Sequence, residues 1–369
     1  MKQLYVPMLR ARKGEFDALS HLSKRASRRI LPLLDIPRIK TPAPGKTAKS
    51  VAEHLQIVAF QISKSWPEKP ILLDTFVWPA DAHTEEGEHI LPYVQSLLED
   101  AGIEVNPVIG YDRWDADEYR LAAGQISLPE GRHFCIRLDS DAMDDIIDID
   151  YFEERIGDIL STLGVNAKQC SVLCDLADLS HMAVVDLLPK LSNGLAELSR
   201  LGFGQLIVSG ASIPNSIVLA VKQPKSVGLV PRREMLLWQS LYFDFPNLVF
   251  GDYGVRSPRS MEDVIAPDAN GKIRYTIDKQ FLIARGHSMR VPPKGAQHCE
   301  LAKKIVDSQY FSGADFSWGD ARIVACANSE FPGSLVTWIA IDTNHHIESV
   351  VEEILAFRRV RAQQVNAAI

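Results

Sequence analysis

Apolar runs of four to eight residues recur along the chain, spaced so that a helix fits between each pair. They are LYVPML (4–9), ILPLLDI (30–36), PILLDTF (70–76), EVNPVIG (104–110), HFCIRLD (133–139), SVLCDLAD (171–178), QLIVSGA (205–211) and NLVFGDY (247–253). The runs are almost continuously apolar, as strands covered on both faces are. Between them, EFDALSHLSKR (15–25), SVAEHLQIVAFQIS (50–63) and VVDLLPKLSNGLAELSR (184–200) carry apolar residues at helical spacing. Strand and helix alternate, and the eighth strand falls near residue 255. Eight such units in about 250 residues predict an α/β fold, a (β/α)8 TIM-like barrel with right-handed crossovers. An open doubly wound sheet competes, but no GxGxxG follows the first strand to make its dinucleotide turn.

After Gly254 the pattern changes. IRYTID (273–278) and QFLIARG (280–286) predict two short strands around a tight Asp278-Lys279 turn. Pro292-Pro293 interrupts the chain before an amphipathic helix over 296–310. IESVVEEILAFRRVRAQQV (347–365) predicts a terminal helix with Ile347, Val350, Val351, Ile354 and Leu355 on one side. The expected organisation is a barrel over 1–255 and a C-terminal α+β extension over 256–369 packed on it. RIKTPAPGKT (38–47) reads as a long loop after the second strand.

Composition narrows the class. Of 369 residues, 46% are hydrophobic and 24% charged, a globular balance in a chain long enough to bury a core without disulfide or metal staples. Five cysteines without paired spacing fit a reducing compartment. The opening MKQLYVPMLRARKGEF lacks a secretory apolar run, and no window approaches 18 uninterrupted apolar residues. A cytoplasmic protein with no membrane span is expected. The net charge of −7 conceals an asymmetry: residues 1–50 carry 12 Lys/Arg against 3 Asp/Glu, and residues 81–160 carry 5 against 21. Lys24, Arg25, Arg28 and Arg29 form a basic cluster that suits a local contact with nucleic acid or an acidic partner, or simply a solvated helix end. The acidic stretch 139–155 argues against nucleic acid bound over a broad surface.

Barrel active sites lie at the C-terminal ends of the strands. Those ends carry Arg10, Asp35, Asp74, Tyr111, Arg137, Asp139, Asp175, Asp178, Ser209, Ser212, Asp252 and Tyr253. Acids arriving from five strands suit a divalent cation held by oxygen ligands, a general acid–base pair, or a structural network with arginine. Arg137 stands out, since a lone cation at the end of an apolar strand needs an acid or an anionic ligand beside it. Its fork matches phosphate or carboxylate. The loop SGASIPNS (209–216) lies where many barrels hold phosphate on backbone amides, but contains one glycine. No HExxH, HxH or paired-cysteine spacing marks a zinc site. His345 and His346 are adjacent and point apart in any regular element. His287 is a candidate general base reaching the mouth from the extension. Cys170 and Cys174 read as core thiols, and no GxSxG elbow is present.

Several segments together resemble the phage and bacterial "beta protein" family: YVPMLRARKGEFDAL (5–19), ILPLLDIP (30–37), CIRL (135–138), ASIPNS (211–216), PRREMLLW (231–238), FGDYG (250–254), IRYT (273–276), ARG (284–286), SWGD (317–320) and TWIAIDTNHHI (337–347). Asp35 departs from the pattern, standing where many members have Glu. The resemblance implies, through gene neighbourhood only, a part in phage–host conflict and antiviral defence. No reaction or catalytic residue carries over with it. It marks Asp35, Arg137, Ser212, Arg233, Trp238, Asp252, Tyr253, Arg274, Arg285, Trp318, Asp320, Asn344 and His345 as motif positions, and the late ones imply that the extension completes the mouth.

Three functions compete. The favoured one is a defence-associated barrel binding an anionic small molecule or nucleotide through Arg137, Ser212, Arg233, Trp238, Tyr253, Arg285 and His345. The second is a metal-dependent phosphodiesterase using Asp35, Asp74, Asp139, Asp175 and Asp252 around a divalent metal, with His287 a further catalytic candidate. The third is a non-enzymatic scaffold, in which the basic helix and the acidic 139–155 segment meet a protein partner or a second copy in a homo-oligomer.

Overall fold

The structure, a computed structural model, describes residues 3–39, 49–258 and 269–368; most of the expected loop 38–47 lies outside these. Strands β1 (Tyr5–Arg10), β2 (Leu33–Asp35), β3 (Pro70–Asp74), β4 (Glu104–Gly110), β5 (Phe134–Leu138), β6 (Cys170–Asp178) and β7 (Gln205–Ala211) run parallel in sequence order. After β8 (Ser226–Pro231), strand β9 (Val249–Asp252) closes the barrel between β7 and β1, with Tyr5 opposite Phe250. All eight barrel strands fall on the apolar runs. Both faces are apolar for different reasons. Val6, Met8, Leu33, Leu72, Val108, Cys135, Leu173, Ile207 and Val249 fill the barrel interior. Alternate residues such as Tyr5, Leu34, Leu73, Ile136 and Phe250 pack outward in the larger core around it.

Strand β8 was not expected. It joins β10 (Asn270–Ile277) and β11 (Gln280–Ser288) in an antiparallel sheet of order β10-β11-β8. Its alternate residues Val227 and Leu229 are 47% and 46% exposed, so SVGLVP lacks the continuous apolarity that marks the barrel strands. The small sheet therefore draws on chain from both sides of residue 255. Lys279 takes the left-handed φ of +53° at the tight β10–β11 turn.

Helices differ from expectation mainly at their ends. The first is two, Lys13–Ser20 and Lys24–Ser27, the second capped by Ser23 accepting from the Ala26 N–H. Gln297–Val306 falls within the expected 296–310, and a further helix, Trp318–Ala327, is capped by Ser317. The terminal helix begins at Leu335 and runs to Ala368. Its first half escapes the periodicity because Asp342, Thr343, Asn344, His345 and His346 are polar yet buried. This helix is shared between two cores. Trp338 and Ile341 pack with Ile273, Tyr275, Leu301 and Ile323 of the extension, while Ile347, Val350, Val351 and Ile354 pack into the barrel core. Each such aliphatic side chain contributes about 1.5–3 kcal/mol on burial. Among the described residues, no helix is long and apolar enough to cross a membrane.

Close approach fixes the helix seat. A Cβ on Gly14 would lie 2.6 Å from Ile339 Cγ2, and one on Gly319 would lie 2.5 Å from the Ile341 carbonyl oxygen and 3.0 Å from the His345 amide nitrogen. The latter neighbours are backbone and cannot rotate away. Gly319→Ala is expected to cost about 1–3 kcal/mol, read as a lower urea midpoint with an unchanged slope.

Candidate functional site

Inward alternation carries the interior one layer further up. Two residues beyond Met8, Leu33, Leu72, Cys135, Leu173 and Ile207 come Arg10, Asp35, Asp74, Arg137, Asp175 and Ser209, so an apolar plug is topped by a polar layer at the strand C-terminal ends. Arg137 is its centre. Its Nη1 donates to Asp74 Oδ2 at 2.6 Å, and its Nε and Nη2 donate to Asp175 Oδ2 at 3.0 and 2.5 Å. Nη2 also donates to the Tyr253 hydroxyl at 3.0 Å, which in turn donates to Asp175 at 2.6 Å. Arg113, just past β4, donates to Asp74 Oδ1 at 3.1 Å. The Phe76 ring covers the Arg137 guanidinium at 3.9 Å. Asp175 Oδ1 accepts the Ala177 N–H at 3.0 Å, across a β-bulge where Ala177 takes a left-handed φ of +49°. Burial disfavours the Arg137 cation, but the facing carboxylates win and hold its pKa well above the usual value.

Beside this clasp a cavity of ≈ 60 Å³ opens between β1, β2, the start of the first helix and the terminal helix. It has room for about four waters, the polar end of an organic molecule. Its wall includes Arg10, Glu15, Asp35, Arg137, Arg256 and Thr343. Asp35 stands out there: its Oδ1 is buried, and among the described residues nothing donates a hydrogen bond to it. Burial, and then the neighbouring Asp74 carboxylate, raise its pKa from 3.8 to about 7 against the opposing pull of Arg137, Arg10 and Arg113. Glu15 is also pushed up by burial, with Arg256 Nε 2.8 Å from its Oε1 opposing the shift.

The remaining sequence candidates lie elsewhere. Asp252 points outward from the barrel: it accepts from the Tyr5 hydroxyl at 2.5 Å, its Oδ2 lies 2.9 Å from His346 Nε2, and Arg232 stands 3.7 Å away. Ser212 donates to Glu234 and accepts from the Arg233 N–H. Trp238 is fully buried against Phe250, Tyr242 and Phe357, its indole N–H on the Leu248 carbonyl. Arg285 donates to the carbonyls of Val221 and Lys222. His287 is tied within the extension, its amide on Gln297 Oε1 and its Nδ1 3.0 Å from the Ser288 carbonyl. Asp139 caps the helix Ser140–Asp145. Arg137, Arg233 and Arg285 therefore do not converge, and of the five aspartates only Asp35, Asp74 and Asp175 share the mouth.

His345 and His346 do point apart. His346 reaches Asp252 and Thr276 Oγ1, and His345 Nδ1 lies 2.8 Å from Asp320 Oδ2. Ser349 Oγ lies 3.2 Å from His345 Nε2, in the order of a hydroxyl–imidazole–carboxylate relay. That nitrogen, however, faces the Thr276 carbonyl at 2.8 Å, which only accepts, so its hydrogen is committed there and it offers Ser349 no lone pair. From beyond residue 255, Arg256, Ser257, Pro258 and Thr343 line the cavity.

Sequence reasoning passed over Glu15, Phe76, Arg113, Arg256 and Thr343. Arg113 had a visible signal, a cation three residues past a strand end. Glu15 and Thr343 had none, because they arrive from helices whose seat only the packing decides.

A model of the family described as Beta protein matches residues 5–352. No curated protein matches the chain. Among solved structures the chain is similar to dihydropteroate synthase from Anaplasma phagocytophilum with bound 6-hydroxymethylpterin-monophosphate, at 13% identity and a TM-score of 0.38, over 69% of this chain and 95% of that one. It is likewise similar to a dihydropteroate synthase from Coxiella burnetii in complex with pteroic acid, at 13% identity and a TM-score of 0.39, over 70% and 90% of the two chains.

Two outcomes follow from the charges. Replacing Arg137 by Met leaves the buried Asp175 without a cation and Asp74 with Arg113 alone, and is expected to cost about 3–5 kcal/mol in chemical denaturation. Asp35 has a raised folded pKa, so its favourable contribution is present below the unfolded value of 3.8 and declines as pH rises towards about 7. Asp35→Asn cannot ionise and escapes that loss. Its melting temperature should exceed that of the wild type by about 2 °C or more at pH 8 and nearly match it at pH 4.

Proposed function

The chain belongs to the Beta protein family, and we propose that its barrel mouth binds a small organic molecule or nucleotide through an anionic group. The observation that carries this reading is the charge around one cavity. Among the described residues Arg10, Arg137 and Arg256 line it together with Asp35 and Glu15, two carboxyls shifted towards their neutral form. A phosphate or carboxylate entering there meets guanidinium groups in a mostly apolar, walled site, where charge-assisted hydrogen bonds are strongest. The cavity's size suits the charged end of the ligand, with the remainder projecting through the opening. The part in phage–host conflict rests on family membership alone.

The metal-dependent reading gains nothing from the geometry. Asp74 and Asp175 are committed to Arg137, Asp139 caps a helix and Asp252 faces outward, leaving Asp35 alone. The scaffold reading loses part of its basic surface within the chain, since Arg25 pairs with Glu352 at 2.6 Å and Ser23 binds Glu348.

Isothermal titration with inorganic phosphate, acetate and adenosine monophosphate tests the proposal. At least one should bind, and Arg10→Met should weaken it about tenfold, the loss of one hydrogen bond to a charged group. Silence with all three would remove the reading.

A further inference from the structure

All five cysteines are free thiols. Cys135, Cys170 and Cys174 lie within the barrel cores, where burial pushes each of them up to about 12. The remaining two belong to the extension and differ in kind. Cys299 is only partly buried, and its Sγ lies 3.9 Å from Cys326 Sγ, the contact distance of two thiols.

The pair sits where a covalent link has mechanical effect. The helices Gln297–Val306 and Trp318–Ala327 pack together through Leu301, Ala302, Ile305 and Ile323. Cys299 is in the first turn of one and Cys326 in the last turn of the other, so the two helices run antiparallel. Their connection, residues 307–317, lies at the far end, and the cysteines face each other across the open end of a helical hairpin. The second helix in turn seats the terminal helix, with Gly319 against Ile341 and His345.

Access to the two thiols is graded. Pro293, Lys294, Ala296 and Glu300 around Cys299 are exposed, whereas Cys326 is fully buried. Burial, and then the neighbouring Cys299, push the Cys326 thiol up to about 12 against the Arg322 guanidinium one turn earlier. A reagent arriving from solvent therefore meets Cys299 first, with Cys326 directly behind it. Closing the gap to the about 2 Å of a sulfur–sulfur bond asks for side-chain rotation and a small approach of two adjacent helices.

We propose that Cys299 and Cys326 are a reversible redox modification site, closed into a disulfide by exchange with a small-molecule disulfide such as oxidised glutathione. The Cys299 thiolate attacks one sulfur of the glutathione disulfide, and a glutathione thiolate leaves as the mixed disulfide forms. The Cys326 thiolate then attacks Cys299 Sγ and expels the second glutathione. The protein gives up two electrons and two protons, and one glutathione disulfide becomes two glutathione thiols. In a reducing pool the pair rests as thiols. On oxidation the bond joins residues 27 positions apart and staples the hairpin on which the terminal helix rests, stabilising it by restricting the unfolded chain.

The test equilibrates the full chain in glutathione buffers from fully reduced to fully oxidised, quenches with N-ethylmaleimide and digests with trypsin without reduction. Cys299 and Cys326 fall in separate tryptic peptides, 295–303 and 323–358, so mass spectrometry sees their cross-link directly. That linked pair should appear as the buffer becomes oxidising and vanish with dithiothreitol. The oxidised protein should melt about 3 °C or more above the reduced one, a difference abolished in Cys299→Ser. Absence of the cross-link in every buffer would overturn the proposal, as would glutathione held on Cys299 with Cys326 still free. A cross-link that forms only in urea, or that engages a barrel cysteine, would overturn it equally. Equal melting of the cross-linked and reduced wild type would overturn the stapling effect. The cross-link is read in the wild type, so the pairing is decided even if Cys299→Ser does not fold.

Discussion

The mouth of the barrel depends on one cation. Arg137 rises from β5 and gathers Asp74 of β3, Asp175 of β6 and Tyr253 beyond β9, tying strands on opposite sides of the barrel axis. Without it, the interior would end on two acids of like charge at the top of an apolar plug, an arrangement that low dielectric makes costly. With it, the layer is nearly neutral and hydrogen-bonded, and its saturation decides what the neighbours can do. Arg137 shares most of its hydrogen bonds with Asp74, Asp175 and Tyr253 while its guanidinium still borders the cavity. The cavity lies to the side of this layer, towards Asp35, Glu15 and the β1–β2 corner.

The barrel was readable because its strands are buried on both faces, and continuous apolarity is a strong signal. The same property hid the site's parity. In Phe250-Gly251-Asp252-Tyr253 an acid and an aromatic sit side by side, and only one of them can face inward. Where polar and apolar residues alternate, the pattern chooses; here neither face is wet. The structure turns Tyr253 inward to Arg137 and Asp252 outward to His346. Arg137 and Asp35 face the mouth because their neighbours two residues earlier are interior. Thr343 and Glu15 stayed out of view because a helix seat depends on contacts far apart in sequence.

The family motifs after residue 255 acquire a physical reading. Arg274 binds Asp342 and the Val255 carbonyl, Asp320 binds His345 and Tyr275, and Asn344 bridges the Gly319 amide and the Ala18 carbonyl. These are buried polar ties that lock the terminal helix between barrel and sheet. Together with the Tyr5–Asp252–His346 chain, they set the position of that helix more sharply than apolar packing alone, since each misplacement strands a buried polar group.

That helix gives the molecule a long-range closure. Ser23 meets Glu348 across 325 residues, and Gly14 meets Ile339. The eight strands can pair before this helix docks, but the wall that Thr343 supplies to the mouth is missing until it does. Contacts of such separation form late and slowly. A folding chain can therefore hold a closed barrel while the corner around Asp35 and Glu15 remains unfinished. The wall of the mouth then reports whether the terminal helix has docked, which makes it a marker of a late, long-range step of folding.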